Sequence, residues 1–172
     1  MKSTIRLGLV AGALIAGATV PALQAAAEQP AQANRLEATF AESPAQVTNR
    51  IADLGIFQLI NTGSGTVEGF GDATVVVAIS QDRAVTPCGP GSWTNAATRR
   101  IVLDEGVLVL REQGYRCPSA SGPDISGTYE VDGSSSTGAF AGARGTGVDT
   151  VDTVTHTSHI SGKLKLAGSD GD

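Results

Sequence analysis

Hydrophobic positions along the chain alternate with polar ones over short stretches, and glycine punctuates them. Leu36, Ala38 and Phe40 alternate with Glu37 and Thr39, which is the period of a strand with one face in a core. Ser43-Pro44 then precedes Val47, Ile51 and Leu54, which fall at helical spacing before Gly55. With Gln46 closing a capping box, this predicts a short helix over 44–54, and a strand over 47–54 is the competing reading. Residues 55–61 read as a strand and 62–65 as a Thr/Gly/Ser turn. Residues 66–81 form a long β stretch bent at Gly69 and Gly71. Its apolar face (Ala73, Val75, Val77, Ile79) is expected inside and its Glu68/Asp72 face outside. After a Pro/Gly loop over 83–97, strands at 98–103 and 107–116 flank the hairpin signal Asp104-Glu105-Gly106. A loop at 117–124, a strand at 125–131, a Gly/Ser-rich segment at 132–147 and strands at 148–157 and 159–166 complete the pattern. Seven or eight short-linked strands predict an all-β fold: one antiparallel up-and-down barrel of about eight strands, with a sandwich as the alternative.

The first 27 residues depart from this pattern. Lys2 and Arg6 precede an uncharged apolar stretch, Leu7 to Val20, and Pro21 ends it. Small residues up to Ala27 offer A-x-A-like cleavage sites, the layout of a secretory signal peptide. The stretch is shorter than the ~20 residues that span a bilayer. The expected organisation is a signal peptide at 1–27, of bacterial style, and a flexible lead-in at 28–35. The barrel domain follows at 36–167, with a disordered tail at 168–172. The product is expected to be secreted, to the extracellular space or cell envelope, as a monomer or weak homo-oligomer with no membrane attachment after cleavage.

Charge narrows the partners. The 172 residues carry 12 Lys and Arg against 17 Asp and Glu, a formal net charge of −5, and losing Lys2 and Arg6 makes the remainder more acidic. This disfavours nucleic acid, whose phosphates need a basic surface. The only two cysteines, Cys88 and Cys117, are expected to form a disulfide in an oxidising compartment.

Chemistry-bearing residues are few. His156 and His159 stand three apart, with no third ligand nearby in sequence, so no metal site is expected. Asp149 and Asp152 should point to opposite faces of their strand. Arg99, Arg100 and Arg111 are expected to form cross-strand charge pairs with Glu105 and Glu112. No phosphate-binding loop, dinucleotide fingerprint or nucleophile elbow is present, so no cofactor is expected and no catalytic residue is assigned. Trp93, Phe70, Tyr115 and Phe140 are the aromatic candidates for contact with a ligand, with Trp93 and Tyr115 placed at a barrel mouth.

The segment from Gly127 to Leu166 carries a strand, a Gly-rich turn and Gly138-Ala139-Phe140-Ala141-Gly142-Ala143 followed by Gly145. A Thr-rich strand and the element Ser161-Gly162-Lys163-Leu164 come next. This stretch of about 40 residues resembles the C-terminal part of the allene oxide cyclase barrel family, whose plant relatives include the dirigent proteins. The resemblance implies an eight-stranded barrel with a cavity for a small apolar molecule, and Phe140 plugging a rim. The expected role is to bind or shield a small hydrophobic molecule without covalent catalysis. The alternatives are an isomerase or cyclase acting by substrate positioning, and a ligand-free structural protein of the cell envelope.

Overall fold

The computed structural model describes residues 35–121 and 124–168, so the expected signal peptide, nearly all of the expected lead-in and most of the expected tail lie outside the described residues. Nine strands form one antiparallel sheet: β1 (Leu36–Glu42), β2 (Gln46–Ile51), β3 (Ile56–Val67), β4 (Gly71–Asp82), β5 (Trp93–Leu103), β6 (Gly106–Arg116), β7 (Ile125–Val131), β8 (Thr146–Asp152) and β9 (Thr157–Gly162). From β3 to β9 each strand pairs with the next, and β1 pairs with both β9 and β3. Eight strands therefore close into an up-and-down barrel, as the alternation predicts. β2 lies outside the ring: after Ser43-Pro44-Ala45 the chain runs on along β3 and pairs with it alone.

The expected helix over 44–54 is absent. Residues 46–51 are a strand and only Ala52–Leu54 make one 3₁₀ turn. The intended apolar face has nothing to bury against, and Val47, Ile51 and Leu54 are about half exposed. A short helix without a buried face is marginal, whereas the free edge of β3 satisfies the same backbone groups in register. The Ser43 hydroxyl accepts the Thr62 amide across the strands instead of capping a helix. Gly55 is left-handed (φ 68°), as its place at the end of that segment requires.

The turn expected at 62–65 is also displaced. β3 runs unbroken through it, and the chain reverses at 68–70, where Gly69 takes φ 79°. Gly63 and Gly65 serve a different purpose. A Cβ on Gly65 would stand 1.9 Å from the Thr39 carbonyl oxygen, and one on Gly63 would stand 2.4 Å from that of Ala41. These glycines let β3 and β1 approach where the barrel closes. Likewise β5 begins at Trp93, inside the expected loop, and the β8–β9 turn falls at 153–156, where the Asp152 carboxylate accepts the Val154 and Thr155 amides.

The two ends of the barrel differ. At one end Leu36, Phe70, Leu103, Val131, Phe140 and Leu164 pack into the core. The Phe70 and Phe140 rings meet there at 5.2 Å and 56°, a tilted aromatic pair that closes this end. Gly138 and Gly142, both at positive φ, carry Phe140 inward, so the plug read from the sequence is present. At the other end the interior is lined by polar groups. There Cys88 and Cys117 form the expected disulfide, with Cα atoms 5.7 Å apart, tying the β4–β5 loop to the end of β6.

Two substitutions separate the two uses of glycine. Gly65→Ala is expected to cost more than about 3 kcal/mol, because it overpacks the closure against rigid backbone. Gly69→Ala has open space and should cost only about 1–2 kcal/mol of left-handed strain. Urea unfolding of both variants checks the order. Replacing Cys88 and Cys117 by Ser should cost roughly 3–4 kcal/mol, the chain-entropy value for a loop of this size, measured the same way.

Candidate functional site

Counting inward positions along the strands from the plugged end leads to a charged layer. On β1, Leu36, Ala38 and Phe40 face in, and the next inward residue is Glu42. On β5, Leu103 and Ile101 give way to Arg99, and on β6, Leu108 and Leu110 give way to Glu112. Asp149 from β8 and Ser158 from β9 complete the layer. All five are buried, Arg99 to 1% exposure.

Arg99 is the centre of this layer. Its Nε donates to Glu112 Oε1 at 2.5 Å, and one terminal nitrogen donates to Glu42 and to Ser158 Oγ. Ser158 Oγ donates to Glu42 Oε1 at 2.6 Å, and Asn61 Nδ2 donates to Glu42 Oε2 at 2.6 Å. Burial alone would weaken the guanidinium's hold on its proton, but Glu112 and Glu42 reverse this and raise its pKa. Charges taken out of water this far persist only when paired and hydrogen-bonded.

Asp149 is the third carboxylate around this single cation. It is 3% exposed and its Oδ1 has no hydrogen-bond partner among the described residues. Gly127 makes room for it, since a Cβ there would stand 2.6 Å from Oδ1. Burial, reinforced by the Glu112 charge, raises its pKa to about 7 against the opposing pull of Arg99. The carboxyl therefore changes charge near neutrality.

Above the charged layer lies a cavity of about 150 Å³ that opens at the unplugged end. Val77, Ile79, Ala97, Ile125 and Val151 supply apolar walls, and Asn61, Asn95, Trp93 and Asp149 supply polar ones. Five buried side-chain atoms lack a partner among the described residues, and four of them belong to residues that line this cavity: Asn61 Oδ1, Asn95 Oδ1, Trp93 Nε1 and Asp149 Oδ1. Buried polar atoms are nearly always paired, so four unpaired ones around one space set this cavity apart from the rest of the described interior.

The mouth is held by stacked cations and rings. Arg83 lies 4.0 Å from the centroid of Phe57 and 4.9 Å from that of Trp93, and Arg116 lies 4.6 Å from Trp93. Arg50 covers Phe57 at 5.1 Å. Asp124 accepts from Arg116 Nε at 2.5 Å and from the Thr153 hydroxyl at 2.8 Å, joining β6 to the β8–β9 turn. Burial would raise the Asp124 pKa, but the Thr153 hydroxyl and Arg116 outweigh it and lower it.

The aromatic candidates separate on this frame. Trp93 lines the cavity, as expected for a mouth residue. Phe70 and Phe140 sit in the plug, away from it, because their bulk fills the packed end. Tyr115 is 46% exposed and does not line the cavity. Gly69 and Gly71, expected to bend one long strand, instead lie at the reversal between β3 and β4, both at positive φ. Asp149 and Asp152 do point to opposite faces. His156 lines the mouth at φ 55°, whereas His159 bonds Thr39 on the outer wall. Among the described residues, no cluster of His, Cys, Asp or Glu is arranged to hold a metal ion.

Sequence reading missed Arg99, Glu112, Glu42 and Asp149 as a group. The expected cross-strand pair of Arg99 with Glu112 is present, but it lies inside the barrel, because each residue continues an apolar alternation by one step inward. Arg111, one residue out of phase with Glu112, is the surface charge, paired with Asp132 at 2.7 Å.

Fold and site together define a closed antiparallel barrel with one plugged end and one polar, open end. No protein-family model matches the chain, and neither does any curated protein or solved structure.

Arg99→Leu is expected to destabilise by about 3–5 kcal/mol, because it strands Glu42 and Glu112 in the interior. Adding Glu42→Leu and Glu112→Leu should recover most of that loss in urea titrations. Asp149 has a distinct pH signature. Its folded pKa, about 7, lies above its unfolded value near 4. Its contribution is therefore complete below pH 4 and falls as pH rises toward 7, by about 2–4 kcal/mol in all. Stability measured from pH 4 to 8 should fall more steeply in the native chain than in Asp149→Asn.

Proposed function

We propose that this chain is an exported β-barrel that binds one small molecule with an apolar body in the cavity beneath Trp93. The observation that carries this reading is the set of four unpartnered buried polar atoms around one open-ended space. Solid packing at the opposite end supports it, since the barrel is filled only where the plug lies. A cavity of about 150 Å³ matches the size of a single aromatic ring. The disulfide and the leader-like N-terminus support export, because such a bond persists in oxidising compartments. The resemblance to the allene oxide cyclase barrels is compatible with this role and names no ligand.

A second reading rests on Asp149. A buried carboxyl that titrates near neutrality, on the wall of a cavity, suits general acid or base chemistry. An isomerase or cyclase would need little more than this group and a shaped pocket.

Native mass spectrometry of the exported chain is expected to show a non-covalent adduct that disappears under denaturing conditions. Ala97→Phe, which fills the cavity from β5, should abolish the adduct while leaving the fold intact by circular dichroism. An adduct retained by this variant would place the ligand elsewhere and sink the proposal. Ala73, at the plugged end, is the control position: enlarging it should not affect the adduct.

A further inference from the structure

The cavity's chemistry narrows the class of ligand, if the cavity is a ligand site as proposed above. Three of its four unpartnered atoms are acceptors: Asp149 Oδ1, Asn61 Oδ1 and Asn95 Oδ1. The orientation of Asn61 is set by its own contacts. Its amide nitrogen already donates to Glu42 Oε2, so its oxygen is the atom left for the cavity. The charges beneath are unequal, with Glu42, Glu112 and Asp149 grouped around Arg99 alone. Both Glu112 oxygens and both Glu42 oxygens are engaged by Arg99, Ser158 or Asn61. Among these three carboxylates, Asp149 alone has a buried oxygen without a partner among the described residues.

We propose that the cavity selects a small organic cation, a primary ammonium that donates to Asp149 Oδ1 and Asn61 Oδ1 while a ring-sized apolar body lies toward Trp93. An ammonium brings three N–H donors and no acceptor, which complements a wall of acceptors. It also supplies the second positive charge that three carboxylates require. A carboxylate ligand would add a fourth negative group to the buried layer, and a neutral alcohol would leave the charge unbalanced.

The groups facing Asp149 are Arg99 on β5, Glu112 on β6 and Glu42 on β1, and His156 stands at the mouth. Arg83 and Arg116 at the rim oppose a cation's approach. Arg116 is neutralised by Asp124, and Arg83 is exposed, so solvent ions screen it over about 8 Å. The carboxylates beneath are buried and are screened far less.

Trp93 is the only tryptophan in the chain, so its fluorescence reports on the cavity directly. The test titrates benzylamine, benzyl alcohol and benzoate into the native protein at pH 8, by fluorescence and calorimetry. Benzylamine is expected to bind at least about tenfold more tightly than benzyl alcohol, with benzoate weakest. In Asp149→Asn the ratio of amine to alcohol affinity should shrink to about threefold or less. Equal binding of amine and alcohol would overturn the cation proposal and leave the ligand-binding reading standing, as would a preference that survives in Asp149→Asn. Silence from all three compounds would overturn both.

Discussion

The ion cluster around Arg99 divides this barrel into two halves with different tasks. Glu42, Arg99, Glu112 and Ser158 come from β1, β5, β6 and β9, so their hydrogen bonds cross the interior and join both sides of the closure. A guanidinium in that place tolerates little displacement, because a lengthened bond would leave a charge unsolvated. Below it the barrel is packed with Leu, Val and Phe. Above it the walls are free of the demand to fill space, and they carry unpartnered polar atoms instead.

Glycine is the means by which so narrow a barrel holds large polar side chains. Tyr129 lies against Gly147 and Gly162, where added Cβ atoms would stand 2.6 and 2.4 Å from its hydroxyl oxygen. Burial, with the Glu37 charge adding to it, raises the Tyr129 pKa to about 12 and keeps it neutral. Asp149 occupies the space over Gly127 in the same manner. The glycine content of the chain thus records side-chain placement inside the barrel as much as turn geometry.

Strand alternation made the architecture legible, since β4 to β7 alternate inward and outward positions and meet their neighbours through short or glycine-marked connections. Local signals misled where one residue type serves two purposes. Gly63 and Gly65 look like a turn and are a close strand approach; Val47, Ile51 and Leu54 look like a helix face and lie on an outlying strand. The plug at Phe140 was legible because Gly138 and Gly142 bracket it. The charged layer was not, because Arg99 beside Arg100 and Glu112 beside Arg111 resemble paired surface charges. Only their phase relative to Ile101 and Leu110 distinguishes them, and that phase becomes decisive once the register is known. Asp149 gave no comparable signal, since its burial depends on the absent side chain of Gly127 two strands' length away in sequence.

β2 is held differently from every strand of the ring. It bonds to one neighbour, none of its side chains is buried, and the bend that leads into it contributes Ser43 and Ala45 to the cavity wall. A segment so lightly attached opens at a small fraction of the free energy that holds the whole fold. Its fraying would loosen the rim while the Arg99 layer and the phenylalanine plug stay intact. Opening of the rim and survival of the barrel are thereby governed by separate parts of the chain: changes in β2 alter access to the cavity with little effect on global stability.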